Sequence, residues 1–248
     1  MRQVLCPVLV GRDEETGHLQ AALAAAQAGQ GGTVLLTGEA GIGKSRLVRE
    51  LARAAGADGF TVLTGRAVAG GVPTPFRPFA EALVSAGRAE RLPVSAELDP
   101  FRPALGRLVP EWRQPQAAAG DESLVYLGEA VLRLLRVLSP DTGCLLVLED
   151  LHWADRETLA LLEYLADNLS AERVLRTGTL RDEEGGEAAV LAAALEARGS
   201  AAVLPLARLD PAAMARMAAA CVGAARVPRR QPGRRTRGVP RHPPRGRI

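Results

Sequence analysis

The chain has few aromatic residues, few cysteines and no long apolar run. Aromatic residues make up 3% of the 248 residues, so a core has to be built from Leu, Val and Ala. Cys6, Cys144 and Cys221 are far apart and form no CxxC pair, which argues against disulfides and favours a reducing compartment. No apolar run approaches ~20 residues, and the first residues do not resemble a signal peptide. We therefore expect a cytoplasmic globular protein with no membrane partner.

Acidic and basic residues are unevenly distributed along the chain. The formal net charge is +3, but residues 226–248 contain nine Arg and no acidic residue. The other 22 basic and all 28 acidic side chains give residues 1–225 a net charge of −6. The last 23 residues also contain five Pro and three Gly, a composition that predicts disorder. We expect one domain over residues 1–225 and a disordered basic tail over 226–248, and only this tail has the charge to bind nucleic acid.

Short apolar runs alternate with helical patterns along the first 225 residues. The runs typical of strands occupy residues 33–37, 60–64, 144–148, 174–180 and 201–206. Strands that alternate with helices predict an α/β fold with a mostly parallel sheet. A Gly- and Pro-rich stretch over residues 65–120 predicts an insertion with broken helices.

Some polar residues carry local structural expectations. Asp13 and Asp155 precede helical patterns and are predicted to cap those helices. Arg176 interrupts the apolar run 174–180, which suggests a strand at an edge or with one face not fully covered. His152 and Trp153 are interpreted as turn and packing residues.

The segment 38–45 matches the phosphate-binding pattern GxxxxGK[ST], between a predicted strand and a predicted helix. Its glycines allow several N–H groups to point at one phosphate, and the helix start favours anions. Lys44 is expected to reach the terminal phosphates, and the Ser45 hydroxyl is expected to ligate Mg²⁺. Lys44 is also the only lysine, against 30 arginines. The candidate phosphate-binding residues are Gly38, Glu39, Ala40, Gly41, Ile42, Gly43, Lys44 and Ser45.

Two acids follow the apolar run 144–148. A P-loop enzyme needs an acid at the end of a buried strand to bind Mg²⁺. Glu149 is predicted to face the metal ion and Asp150 to orient or deprotonate the attacking water, although the two roles could be exchanged. Arg181, after the next strand, either reaches the γ-phosphate or is a solvated strand end. Lys44, Glu149 and Asp150 are therefore the candidate catalytic residues, with Ser45 and Glu149 as metal ligands.

Five segments together resemble signal-transduction P-loop ATPases of the AAA+/STAND type. The closest resemblance is to the ATPase module of large bacterial LuxR-type transcriptional regulators. The segments are LVGRDEETGHL (9–19), TGEAGIGKSRLV (37–48), GRAVAGGVPTPFRPFAEAL (65–83), LLVLEDLHWAD (145–155) and GTLRDEE (178–184).

This resemblance implies a three-layer α/β ATPase core that binds ATP and Mg²⁺ and acts as a switch. Gly11 and Arg12 stand where the family places a segment near the nucleotide base. Arg46 continues the nucleotide-binding segment beyond Ser45. Glu149 stands where the family often has Asp, which keeps a carboxylate at the metal position.

The resemblance ends where the sequence turns basic. Family members continue into a helical lid, a helical repeat region and often a helix-turn-helix. After about residue 225 this sequence becomes rich in Arg, Pro and Gly, so we expect a truncated or frameshifted product whose lid domain is missing. The competing interpretation is a genuine tail that binds nucleic acid through its arginines.

The sequence thus favours a slow, Mg²⁺-dependent ATPase domain of a signalling or transcription regulator. The alternatives are a non-hydrolysing interaction module gated by nucleotide, and nucleic-acid binding through the tail. A small nucleotide kinase fits the 65–120 region less well. Expected partners are ATP and either a second copy or a regulatory protein, with DNA bound only through missing domains or weakly through the tail.

Overall fold

The described part of the chain divides into two compact units. The computed structural model describes residues 9–70, 74–88, 95–112, 123–138, 141–168, 172–182 and 186–225. One unit is Gly11–Leu209, and the described residues of the other are 9–10 and 210–225. The predictions for Cys6 and for the basic tail lie outside the described residues.

Five parallel strands form the centre of the Gly11–Leu209 unit. They are β1 (Gly32–Thr37), β2 (Thr61–Arg66), β3 (Cys144–Glu149), β4 (Val174–Thr179) and β5 (Ala202–Pro205). Their spatial order is β2-β3-β4-β1-β5, and every neighbouring pair is parallel. Parallel neighbours require crossover connections, which the helices provide. The predicted three-layer α/β fold with a parallel sheet is confirmed.

Seven helices lie between and beside the strands in the described ranges of this unit. They are α1 (Asp13–Gln27), α2 (Lys44–Ala57), α3 (Arg77–Arg88), α4 (Arg102–Leu105), α5 (Leu124–Val137), α6 (Arg156–Asp167) and α7 (Glu187–Arg198). Short 3₁₀ turns at Ala96–Phe101 and Pro110–Trp112 flank α4, as expected for the Gly- and Pro-rich stretch. Among the described helices, none has both the length and the apolar composition to cross a membrane.

Leu, Val and Ala side chains fill both faces of the sheet. On one face α1 and α2 bury Leu19, Leu23, Leu47 and Leu51. On the other face helices α3 to α7 share one apolar cluster with the sheet, whose members include Leu63, Leu146 and Leu162. Burying a side chain of this size contributes ~1.5–3 kcal/mol, so aliphatic residues suffice for the core.

One of the two predicted helix caps is correct. Asp155 caps α6, because its Oδ1 accepts the backbone N–H of Thr158 at 2.8 Å. The prediction for Asp13 is wrong: α1 begins at Asp13 itself, and Arg12 occupies the capping position without a side-chain cap bond. Asp13 lies in the first turn, where a negative charge favours the helix dipole.

The prediction of an edge strand or a partly uncovered face at Arg176 is wrong. β4 lies between β3 and β1, and Arg176 is only 1% exposed. Its guanidinium donates to the carbonyl oxygen of Leu165 near the end of α6, and its Nε donates to the oxygen of Gly32 at 3.4 Å. The long side chain thus reaches backbone oxygens inside the fold instead of reaching water.

The described part of the second unit consists of residues 9–10 and of helix α8 (Pro211–Ala225) with Asp210 before it. Asp210 caps this helix, because its Oδ1 accepts the N–H of Ala213 at 2.6 Å. Pro211 suits the first helical position, where no N–H partner is needed.

The close approach of α3 to β2 depends on Gly65. A Cβ atom at this position would lie 1.8 Å from the carbonyl oxygen of Pro78. We expect Gly65→Ala to lower the free energy of unfolding by ~1–3 kcal/mol, because backbone has to move. Gly17→Ala in α1 is the matched control: it meets open space and is expected to raise stability by up to ~1 kcal/mol. If urea unfolding gave the same change in the free energy of unfolding for Gly65→Ala and Gly17→Ala, this interpretation would be contradicted.

Candidate nucleotide site

The phosphate loop (residues 38–45) connects β1 to α2. Gly38 has φ +139°, and a Cβ there would lie 2.8 Å from the carbonyl oxygen of Leu206. Gly43 has φ +113° and stands at the capping position of α2, immediately before Lys44. Glycine is therefore required at both points. The loop delivers backbone N–H groups and the positive end of α2 to one place, which favours a bound anion.

Lys44 is buried within this loop. Its side chain is 8% exposed, and Nζ donates to the carbonyl oxygens of Gly38 at 2.6 Å and Glu39 at 2.8 Å. An ammonium has three N–H donors, so these two bonds leave one for a ligand oxygen. Burial lowers the pKa of Lys44, the nearby Asp150 carboxylate opposes this shift, and the Arg181 guanidinium adds to it. The charges of Asp150 and Arg181 thus both act on the Lys44 ammonium.

The two acids lie at the carboxyl end of the buried strand β3. Glu149 is its last residue, and Asp150 follows with a left-handed backbone conformation at φ 59° and ψ 39°. The N–H of Asp150 donates to Oγ1 of the fully buried Thr179 at 2.9 Å. Asp adopts this conformation more readily than most residues. The last residue of β4 therefore fixes the backbone at Asp150.

Arg66 is a site residue that the sequence analysis missed. It is the last residue of β2 and lies opposite Glu149 in the parallel register. Its Nε is 2.8 Å from Oδ2 of Asp150, and its guanidinium is 4.0 Å from Oε2 of Glu149. An arginine at the end of a predicted strand could have been considered as a site residue. Its contact with the two acids follows only once β2 is known to lie beside β3.

Arg12 contacts the phosphate loop from outside. It is 6% exposed, and its guanidinium donates to the carbonyl oxygens of Ile42 at 3.2 Å and Ala207 at 2.7 Å. A third bond, at 2.7 Å, joins it to Glu15 in α1. Gly11 precedes it with φ 67°. The predicted pair Gly11 and Arg12 thus lies beside the loop, where Arg12 contacts backbone oxygens.

The remaining predicted residues have different surroundings. Ser45 is the second residue of α2 and is partly buried. Arg46 pairs with Glu50 at 3.0 Å, one turn further along the same helix. The guanidinium carbon of Arg181 lies 5.6 Å from the ring centroid of Trp153. Arg46 thus pairs within its own helix, whereas Arg181 lies over the Trp153 ring.

Residues 151–153 form the predicted turn. A 3₁₀ turn covers Leu151–Trp153, directly after the acids. His152 is partly buried, but Trp153 is 46% exposed, so the prediction of a packed side chain is wrong for Trp153. Its ring is paired with Arg181 at the surface.

The residues of this site fit a nucleoside triphosphate with Mg²⁺. The glycine-dependent loop and the Lys44 ammonium suit phosphate oxygens, while Ser45 and Glu149 offer oxygen ligands for Mg²⁺. Within the described ranges, no group of three or more His, Cys, Asp or Glu side chains is arranged to bind a metal ion. Mg²⁺ is typically bound by one or two carboxylates together with substrate phosphates, which matches this arrangement.

A phosphate loop beside a buried strand that ends in acids defines a P-loop nucleotide-binding module. The family model described as the AAA ATPase domain matches residues 8–176. The chain belongs to this AAA ATPase domain family and is a nucleotide-binding ATPase module.

Three known proteins are similar to parts of this chain. Uncharacterized protein R02095 of Rhizobium meliloti (strain 1021) is 27% identical over 201 residues, 72% of this chain and 19% of its own length. The Aeropyrum pernix ORC2 protein (ADPNP-ADP complexes) has a TM-score of 0.49 at 16% identity, covering 83% of this chain and 50% of that one. The Drosophila ORC bound to DNA has a TM-score of 0.43 at 13% identity, covering 90% and 52%. The chain thus spans about a fifth of the Rhizobium protein and half of the Aeropyrum chain.

Proposed function

We propose that this AAA ATPase domain binds ATP with Mg²⁺ and hydrolyses it slowly, as a switch in a bacterial signalling or transcription regulator. The observation that carries this proposal is the buried Lys44 ammonium, which donates hydrogen bonds to two carbonyl oxygens of the phosphate loop. The charge of Asp150 raises the pKa of this ammonium and so favours its charged form. The assignment to a LuxR-type regulator rests on the five sequence segments quoted above.

Each site residue has one chemical task in this proposal. The loop N–H groups and Lys44 bind phosphate oxygens, and Ser45 and Glu149 supply oxygen ligands for Mg²⁺. Bound Mg²⁺ neutralises charge that develops on the phosphates during transfer. The Asp150 carboxylate orients a water molecule and accepts its proton. Arg66, at 2.8 Å, is the positioning residue for that carboxylate.

Slow hydrolysis is part of the proposal. Arg66 is paired with Asp150, so its positive charge compensates an acid instead of a γ-phosphate. An arginine supplied to the γ-phosphate contributes ~10³–10⁵ in rate in related enzymes. We therefore expect the isolated chain to turn over below about 1 s⁻¹.

Calorimetry on the full chain tests nucleotide binding. Lys44→Ala is expected to weaken ATP binding by about 10- to 100-fold, because it removes a charged donor from a buried site. Omitting Mg²⁺ is expected to weaken binding by the wild type. The matched control is Arg53→Ala, which removes a positive charge from an exposed pair with Glu50 elsewhere on α2.

Two results contradict the proposal. One is a wild-type chain that is folded by circular dichroism and does not bind ATP. The other is a Lys44→Ala variant that binds ATP as tightly as the Arg53→Ala control.

A further inference from the structure

The segment Leu206–Arg208, directly after β5, follows the outside of the phosphate loop. The N–H of Leu206 donates to the carbonyl oxygen of Thr37 at 2.9 Å. The carbonyl oxygen of Leu206 lies so close to Gly38 that a Cβ there would be 2.8 Å away. Arg12 donates to this segment and to the loop at the same time. The segment is therefore in direct contact with the start of the phosphate loop.

Arg208 adds an ion pair to these backbone contacts. Its Nε and its terminal nitrogen are 3.0 Å and 2.7 Å from Oε2 of Glu39, the second residue of the phosphate loop. Both side chains are largely exposed, at 79% for Arg208 and 60% for Glu39. Hydrogen bonding to Glu39 raises the pKa of Arg208. The pair is thus a surface contact that joins two segments 169 residues apart.

Glu39 is also linked to Lys44. Its backbone oxygen accepts a hydrogen bond from the Lys44 ammonium, as does that of Gly38. The two residues that bind the ammonium are therefore the same two that Leu206 and Arg208 contact. Arg208 and the Lys44 ammonium are therefore linked through one residue, Glu39.

We propose that Arg208 is a positioning residue for phosphate binding, which acts by pairing with the Glu39 carboxylate and directing it away from the phosphates. This inference rests on the proposed nucleotide function. A carboxylate inside a phosphate loop repels phosphate, and the repulsion grows with the charge of the ligand. Pairing with Arg208 compensates that charge and fixes the side chain to the segment after β5. Because exposed ion pairs contribute little to stability, the effect belongs to binding and not to folding.

A double-mutant cycle of Arg208→Ala and Glu39→Gln tests this role. Calorimetry on the full chain with Mg²⁺ gives the dissociation constants of ATP, ADP and AMP for each variant. Arg208→Ala is expected to weaken ATP binding about two- to fivefold, ADP binding less and AMP binding least. In the Glu39→Gln background the same change is expected to have at most half of that effect, because no carboxylate is released. Arg208→Lys is expected to restore most of the affinity.

Control measurements separate this inference from the proposed function. Arg53→Ala removes an arginine of similar exposure, 76%, from an ion pair of 3.0 Å with Glu50 on the same unit and is expected to leave the nucleotide affinities unchanged. Equal losses for Arg208→Ala in both backgrounds would mean that Arg208 acts only as a general positive charge, which overturns the inference. An Arg208→Ala variant that matches Arg53→Ala also overturns it. If the wild type does not bind ATP, the proposed function is contradicted, and so is the inference that rests on it.

Discussion

Asp150→Asn is expected to lower single-turnover ATP hydrolysis by ~10²–10⁴-fold, because an amide cannot accept the proton of the attacking water. The substitution suits this position well. Asn tolerates the left-handed conformation that Asp150 adopts at φ 59°, and its backbone N–H can still donate to Thr179. ATP binding is expected to stay within about threefold, since the proposed partner of the Asp150 side chain is the attacking water and not a phosphate. Rapid-quench hydrolysis and calorimetry on the same preparation measure both quantities.

Two further variants make this result specific. Glu149→Gln is expected to weaken Mg²⁺-dependent ATP binding as well as turnover, because it replaces the proposed carboxylate ligand of Mg²⁺ with a neutral amide. Glu157→Gln changes an exposed acid of α6 to an amide and is expected to alter neither quantity. Full turnover in Asp150→Asn together with loss of turnover in Glu149→Gln would reverse the two roles. A wild type that binds ATP without any single-turnover hydrolysis would support the non-hydrolysing interaction module instead.

The phosphate loop and the acid pair were predictable because each is contiguous in the sequence. Gly38 to Ser45 form one segment with fixed spacing, and Glu149 and Asp150 directly follow an apolar run that becomes β3. The central strands were also predictable, because buried parallel strands are continuous apolar runs. Their proximity in space follows from the carboxyl ends of parallel strands meeting at one edge of the sheet.

The contacts between distant segments were not predictable from the sequence. Arg66 reaches Asp150 only because β2 lies beside β3, and this strand order has no local signal. Arg208 reaches Glu39 because β5 lies beside β1, across 169 residues of chain. In both cases an arginine at the end of a strand looks like an ordinary solvated side chain until the order of the strands is known.

The wrong prediction at Arg176 has a different cause, because the sequence pattern around this residue indicated exposure to water and the residue is buried. A charged residue in an apolar run normally indicates access to water. Here the guanidinium donates to Leu165 and Gly32 oxygens inside the fold, although another of its nitrogens is buried with no hydrogen-bond partner in the described part of the chain. The backbone oxygen at the end of α6 is a partner that only the tertiary structure provides.

Arg176→Met is expected to raise the free energy of unfolding at pH 7 by ~1–4 kcal/mol, because it removes a buried charge that pairs with no carboxylate among the described residues. Met has a similar length and fills irregular space. The lost bonds to Leu165 and Gly32 offset part of the gain. Urea unfolding measures the change, and Arg173→Met, at an exposed position just before β4, is the control with no expected gain. A loss of stability in Arg176→Met would mean that the backbone bonds outweigh the burial of charge.

The difference in stability between Arg176→Met and the wild type is expected to depend on pH. The sign of this dependence follows from the burial of the Arg176 guanidinium. Burial lowers the pKa of Arg176 to about 9, well below its value in an unfolded chain. Below this pKa both states are charged, and the folded wild type carries the full cost of burying the charge. As the pH rises through about 9, the folded state loses the proton while the unfolded state keeps it, so wild-type stability increases relative to Arg176→Met. The advantage of the variant is therefore expected to be largest near pH 7 and to shrink towards about pH 10. Comparing the two proteins at each pH cancels the groups that they share, and a constant difference would contradict a lowered pKa at Arg176.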